Sequence, residues 1–522
     1  VDDVNLPNLK GRWPLRVFEA GVLAGLLYVC YGIPYASGHG WLEALLCFLI
    51  PALMMDGAFK GRRLGWTLLA WVIGLVLIFH WVPNVIEVKG NLPKGVAWLG
   101  SGLFFGYEAL GFTAVIAFAR WMFRRSGRWG AAAGAAFATL LWEAKGFHVY
   151  EWSWGSGLGG LPLLARSAAF LTSYGFSALA FGCGAFFAGS LAEGRKLRSI
   201  LAAPAAFYGS LLAFGLAWSY LPRAPKRELD VVMVQPNFEA GLRRPGMEAD
   251  AWVLSDAALQ EAGLPRPGMA TLLLWPESSI LGVDHRGPDP RLQEEARRRG
   301  LAWLFGTEGG LLNLVRGEAD GRPSFVQAKV EPMPFGERMP GPPAIRKWLD
   351  RKLGFLSQEP GALTAASTFE MTTPQGSLRI HPLICSEALS AARAQAGVAL
   401  GGAQLLTNHT NDGWFDRTVA TDLHFNQIRL RAVEQGVPML RSTLTGKSGL
   451  SRADGTWELW GEPMSRATHA FHLAWEPVYT PARKKGAALF WFVLSGILTL
   501  AFALRPFQPE SDLANGDEEA EA

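Results

Sequence analysis

Long apolar stretches fill the first 221 residues of this chain, and a region of mixed polarity follows them. A helix rises 1.5 Å per residue, so about 20 apolar residues cross a bilayer core. Seven stretches read as spans, at 17–36, 41–59, 64–82, 95–119, 129–144, 161–192 and 200–221, the fifth being short and rich in Ala and Gly. An eighth, GAALFWFVLSGILTLAFAL, covers 486–504. The pattern predicts a multi-pass α-helical membrane bundle over 1–221, an aqueous domain over 222–482, a last membrane helix over 483–507, and a tail over 508–522. That tail is acidic and too poor in hydrophobes to fold.

Within the aqueous domain the period changes. LDVVMVQPN, ATLLLWPES, LAWLFGTEG, SLRIHPLICSE, AQLLTNHTND and PMLRSTLTG read as strands, DPRLQEEARRRG and ATDLHFNQIRLRAVEQG as helices. Strands without polar alternation belong to sheets covered on both faces. The expected class is α/β, with two sheets sandwiched between helices.

Composition and charge fix the setting. Half of the 522 residues are hydrophobic and 21 are Trp, unlike a soluble enzyme. The formal charge of +4 matters through its distribution. Lys10, Arg12 and Arg16 precede the first stretch; Lys60, Arg62 and Arg63 follow the second; Arg120, Arg124, Arg125 and Arg128 follow the fourth; Arg195, Lys196 and Arg198 follow the sixth. Alternate loops carry chiefly Lys89, Lys94 and Lys145. Basic loops stay in the cytoplasm, so seven crossings deliver 222–482 to the opposite side. Arg483, Lys484 and Lys485 run against this, but they end a long translocated domain, where the rule is weak. Basic residues at span ends disfavour nucleic acid as a partner. The first stretch lacks a small-residue cleavage site and is read as a retained anchor.

Of the four cysteines, Cys30, Cys47 and Cys183 fall in apolar runs, where a thiol is a small hydrophobe. Cys385 instead closes an apolar strand ahead of the helix-like ALSAARAQAG. There, helix N-terminal amides would stabilise a thiolate, although a lone cysteine is as readily structural. Glu277 ends the strand TLLLWPE and could take a thiol proton, or could be a solvated loop acid. Lys329, in SFVQAKVEPMPFGERMP, could balance a thiolate and hold an oxyanion, or could be a surface lysine.

Taken together, WPES, the stretch from Lys329 to the PFGE that ends at Glu337, ICSE, LLTNHTNDGWF and RLRAVEQGVPMLRSTLTGKSG resemble the nitrilase superfamily in order and spacing. With spans before and after, the chain resembles that superfamily's membrane-bound branch, the apolipoprotein N-acyltransferases. The resemblance implies a Glu277–Lys329–Cys385 triad with supporting roles for Glu337 and Glu387. Asn411, Asp412 and Trp414 match the Asn-Asp-x-Trp block, and Arg431 with Glu434 match an Arg-Ala-x-Glu helix given a structural role. It further implies a phospholipid acyl donor, a cysteine thioester, and a diacylglyceryl-cysteine apolipoprotein as acceptor. The expected location is the bacterial inner membrane, with the catalytic domain periplasmic, no metal or nucleotide cofactor, and a monomer. Departures from the family pattern are Ser386 for an aromatic, Gln327 for a Tyr, PMPFGE for LVPFGE, Asp416 for a Gly and Lys447 for an apolar residue. These leave the triad filled and bear on acyl-chain or acceptor preference.

Two stretches suit a membrane surface. GPPAIRKWLDRKLGFLSQEPG sets Ile345, Trp348, Leu349, Leu353 and Phe355 among basic residues, as a lipid-facing lid or as a helix packed on the domain. Trp348 of this stretch, and Trp414 of the Asn-Asp-x-Trp block, are candidates for substrate binding. The Trp and Tyr of FHVYEWSWGSGLGG suit an interfacial position. Its GxGxxG spacing has no strand before it, which excludes a dinucleotide loop. TGKS lacks the earlier Gly of a phosphate loop, and His381, His409 and His424 have no metal-ligand spacing, so structural roles are expected for them. The competing readings are a membrane-anchored amidase or nitrilase-type hydrolase, with water as acceptor, and a catalytically degenerate assembly protein.

Overall fold

The computed structural model describes residues 13–32, 40–238, 247–281, 289–309, 311–320, 322–354, 357–361, 367–484 and 487–505. The acidic tail, Lys10, Arg12, Lys485 and Phe355 lie outside them.

The apolar stretches are helical. Gly40–Phe59, Lys94–Lys145, Ala168–Ala192 and Leu197–Tyr220 are long and apolar enough to cross a membrane, as are Leu64–Ile78 and Val82–Val88 taken as one span bent by 59°. At 1.5 Å per residue, the 52 residues of Lys94–Lys145 would run far beyond one bilayer. They break at Ser126 and Gly127, where Gly127 takes φ +61°, so the element is two helices. That break falls between the fourth and fifth predicted stretches. Trp13–Tyr31 and Ala487–Ala503 are the first and last helices described. The latter ends where the Ser126 hydroxyl donates to the Phe502 carbonyl at 2.5 Å, capping an orphan acceptor. The sixth stretch is not continuous: a short helix, Pro162–Ala165, precedes Ala168–Ala192, which breaks again at Thr172 with φ +65°.

Two mixed sheets follow. The first comprises β1 (Arg227–Gln235), β2 (Thr271–Leu274), β3 (Ile280–Leu281), β4 (Ala302–Gly309), β5 (Leu312–Glu318), β6 (Phe325–Ala328) and β13 (Ala467–Trp475), in the order β13-β1-β2-β4-β5-β6 with β3 on β4. The second comprises β7 (Phe369–Thr373), β8 (Gly376–Ile384), β9 (Leu405–Thr410), β10 (Met439–Thr443), β11 (Gly449–Ser451) and β12 (Trp457–Leu459), in the order β12-β11-β10-β9-β8-β7. The six strands read from the sequence are β1, β2, β4, β8, β9 and β10.

Their unbroken hydrophobicity has the expected cause. Leu229, Val231 and Met233 of β1 join a cluster with Leu378, Ile380 and Ile384 of β8, while Val232 and Val234 turn to a second cluster with Ala251 and Ala258 of the helix Met247–Glu261. Successive apolar residues of β1 thus point to two dry layers in turn. The outer face of the second sheet, including Leu383, Leu406 and Met439, joins the largest cluster, which also holds Trp71, Phe112 and Phe181 of the apolar helices.

The helix Ala420–Gln435 makes that junction, and all of its residues are buried. Glu434 accepts from the Ser173 backbone N–H at 2.8 Å, a donor freed where Ala168–Ala192 breaks, and Arg431 donates to the Ser173 hydroxyl at 2.6 Å. Gln427 exchanges hydrogen bonds with Ser153 and Ser156. Arg431 and Glu434 therefore hold the sheets against the helical bundle, the structural role expected of them.

The aromatic loop is a correction. Tyr150, Trp152 and Trp154 are 3%, 5% and 0% exposed rather than interfacial. Trp154 donates to the Cys47 carbonyl at 2.8 Å and packs on Tyr31 and Trp71. The glycines beside it serve close approach: a Cβ on Gly155 would lie 2.4 Å from Phe176 Cβ.

Candidate active site

β8 ends at Ile384, and Cys385 takes φ +50°, in the left-handed region, to open a short 3-10 turn, Cys385–Leu389. Such strain in a non-glycine residue persists only where its surroundings enforce it. Asn408 of β9 enforces it, donating to the carbonyls of Leu383 at 3.1 Å and Cys385 at 3.0 Å. Arg441 of β10 holds Asn408 at 2.5 Å and Asp412 at 2.6 Å. The helix expected directly after the cysteine begins only at Ala391.

Glu277 follows β2 and is 4% exposed. Its placement depends on Gly306 of β4, where a Cβ would lie 2.4 Å from Glu277 Cα. The Gly306 N–H donates to the Pro276 carbonyl at 3.0 Å, and the Trp275 carbonyl is bonded to His409 Nδ1 at 2.7 Å. Asn313 of β5 donates to Glu277 Oε1 at 2.5 Å, and its own carbonyl accepts from the Lys329 N–H at 2.8 Å. One asparagine thus sets the spacing between the acid and the lysine.

Lys329 is 1% exposed, and its ammonium is shared by both oxygens of Glu337, at 2.8 and 2.7 Å. Glu337 is itself fixed by the Met333 N–H at 2.6 Å. Glu387, 1% exposed, accepts from Val330 at 2.6 Å and Glu331 at 3.2 Å with one oxygen, and from Ile384 at 2.9 Å with the other. It ties the lysine segment to the strand that ends at the thiol.

The charges of Glu277, Lys329, Glu337 and Cys385 act on one another, so the structure brings the four groups into one cluster. Burial raises the Glu277 carboxyl to about 7, against the opposing pull of the Lys329 charge and of contacts with Asn313 and Cys385. Burial and the Glu277 carboxylate push the Cys385 thiol up to about 12. Burial works against the charge of Lys329, but Glu337, Cys385 and Glu277 overcome it and hold the ammonium above the usual lysine range. At neutral pH the cluster therefore holds a neutral thiol, a carboxyl near its midpoint and a fixed positive charge. Such a set can move a proton from sulfur to carboxylate while the lysine steadies negative charge.

Trp414 is half-buried against the large apolar cluster, and Trp348 is 52% exposed on the helix Pro343–Leu353, none of whose residues is buried. Neither ring has a hydrogen-bonding or electrostatic tie to the triad among the described residues. Two departures are matched by partners: Gln327 donates to the Pro382 carbonyl at 3.0 Å, and Lys447 pairs with Asp422 at 2.5 Å. Asn313, Asn408, Arg441 and Gly306 were missed because each acts through a contact across strands that no local pattern advertises.

The carbon-nitrogen hydrolase family matches residues 331–468, a span that includes Cys385 and begins just after Lys329. An apolipoprotein N-acyltransferase of Rhizobium meliloti (strain 1021) is 30% identical over 477 residues, covering 83% of this chain and 86% of that relative. The chain belongs to the apolipoprotein N-acyltransferase family. Relatives of the same name from Sinorhizobium medicae and Allorhizobium ampelinum are 29% and 28% identical, covering 84% and 80% of this chain. Family membership supports lipoprotein N-acylation in general, and the apolar helices are consistent with a transmembrane protein.

Proposed function

We propose that the protein moves an acyl chain from a phospholipid, through a thioester on Cys385, to the α-amino group of a diacylglyceryl-cysteine at the N-terminus of an apolipoprotein. The observation that supports this reading is the grouping of the buried Glu277 and Lys329 with the half-buried Cys385, their charges acting on one another, on two mixed sheets seated against apolar helices. Residues 1–221 and 483–507 anchor that domain, 222–482, on the periplasmic face of the inner membrane, where both lipid substrates reside.

Glu277 takes the thiol proton as Cys385 Sγ attacks the ester carbonyl carbon, and Lys329 holds the oxyanion. Collapse breaks the ester C–O bond, and the lysophospholipid oxygen leaves with the proton from Glu277. The acceptor amine then attacks the thioester, and the C–S bond breaks to give an amide and the free thiol, in ping-pong order. Glu337 has a definite part in this scheme. By neutralising Lys329 it prevents the lysine from pairing with Glu277, which would lower that carboxyl too far to serve as a base. Trp348 and Trp414 are assigned to the acyl chains.

The test is intact-mass analysis after incubation with phospholipid. One acyl increment, released by hydroxylamine and absent from Cys385→Ala, is expected. Acylation of a diacylglyceryl peptide by Cys385→Ala would refute the assignment, and a thioester lost only to water would establish a hydrolase.

A further inference from the structure

An α-amino group near its pKa of about 8 arrives largely as an ammonium, with no lone pair for attack. Two protons must leave nitrogen on the way to an amide. The regenerated thiol accounts for one, and the other requires a base that faces the incoming amine.

His424 lies in the fully buried helix Ala420–Gln435, is 1% exposed, and places Nδ1 3.0 Å from Asp412 Oδ1. Arg441 Nη2 lies 3.2 Å from the same nitrogen and donates to the other Asp412 oxygen at 2.6 Å, which leaves Oδ1, an acceptor only, facing Nδ1. With Asp412 so held, the proton of a neutral imidazole belongs on Nδ1, leaving the Nε2 lone pair available. Nε2 has no partner among the described residues. Nor has the hydroxyl of Tyr150, 3% exposed, whose ring centre lies 6.4 Å from that of His424. Tyr150 belongs to the loop after the helix Lys94–Lys145 and is packed by Phe79 and Trp81. The two orphans lie within electrostatic reach of the triad: the charges of Asp412, Arg441 and Cys385 act on Tyr150, and that of Lys329 acts on His424. Buried polar atoms are nearly always paired, and both the Nε2 lone pair and the phenol oxygen can accept a hydrogen bond from an ammonium.

We propose that His424 Nε2 and the Tyr150 hydroxyl oxygen form the subsite for the acceptor's α-ammonium, with His424 as its base; the proposal rests on the acyl-transfer reading above. One N–H proton passes to Nε2, giving an imidazolium steadied by Asp412. The freed lone pair attacks the thioester carbonyl carbon, and Lys329 holds the oxyanion. Collapse breaks the C–S bond, the second proton reaches sulfur through Glu277, and His424 releases its proton to water. Burial and the charge of Arg441 keep the imidazole below its ordinary pKa, and therefore neutral before the amine arrives.

The two half-reactions separate this role from a structural one. Wild type, His424→Asn and Tyr150→Phe are loaded with phospholipid, then discharged with either a diacylglyceryl-cysteine peptide or hydroxylamine, which is already unprotonated at neutral pH. The ratio of peptide transfer to hydroxylamine discharge should fall at least tenfold in His424→Asn and severalfold in Tyr150→Phe. Equal falls in both discharges would show that His424 acts only through the Asp412–Arg441–Asn408 chain, and an unchanged ratio would show no role; either overturns the proposal. Tyr150→Phe keeps the ring packing and decides the matter alone if the histidine variant does not fold. A wild type that never gains hydroxylamine-labile mass would fail the acyl-transfer reading instead.

Discussion

Burial of Glu277 makes a quantitative prediction about pH. The carboxyl stands at about 7 in the fold against an ordinary 4.5, so folding favours its protonated form. At 1.36 kcal/mol per pKa unit, that difference corresponds to about 3 kcal/mol of stability, fully present below pH 4.5 and lost as pH rises through 7. Glu277→Gln cannot ionise, so its stability should gain on wild type by about 3 kcal/mol between pH 4.5 and pH 8, as read by thermal unfolding in detergent. Thioester formation should move the other way. Wild type needs the ionised base, so loading should rise with pH to a half-maximum near 7, and Glu277→Gln should lose roughly 10²–10⁴ in rate, the usual range for a general base. A constant stability difference between the two proteins across this range, together with a wild-type loading rate indifferent to pH, would refute a buried, raised carboxyl acting as base.

Three further substitutions probe the supports. Gly306→Ala puts a Cβ 2.4 Å from Glu277 Cα, and should cost about 1–3 kcal/mol and abolish loading; normal loading at wild-type stability would show that β4 does not position the acid. Glu387→Gln must present an amide N–H to one of the three backbone donors it now satisfies. A loss of about 1–3 kcal/mol with slower thioester formation is expected, and unchanged loading kinetics would remove its positioning role. Lys447→Met leaves the Asp422 carboxylate unpaired, costing about 3–5 kcal/mol, and adding Asp422→Asn should recover most of it; a double variant no more stable than the single would mean the two do not act as a pair.

Much of the site could be read along the chain. Cys385 and Glu277 each follow a buried strand and Lys329 precedes a proline-rich turn, signals that left each residue open to a structural reading until the order and spacing of their motifs resembled the family's. The supports could not be read in this way. Asn313 and Gly306 lie on strands that look ordinary in isolation, and their importance arises only when β4 and β5 pass beside Glu277. The aromatic loop misled for the same reason: Trp152 and Trp154 have interfacial chemistry, yet the surrounding helices bury them.

Hydropathy alone determined that this chain builds apolar helices beside an α/β domain, because solvent transfer acts on each residue through its own side chain and near neighbours in sequence. Tertiary structure decided the rest. The pKa of Glu277, the pairing of Lys329 with Glu337 rather than with the acid, the left-handed turn at Cys385, and the open nitrogen of His424 all depend on groups far apart in the chain. Desolvation and charge act through space at a few ångströms, a distance that sequence separation does not encode.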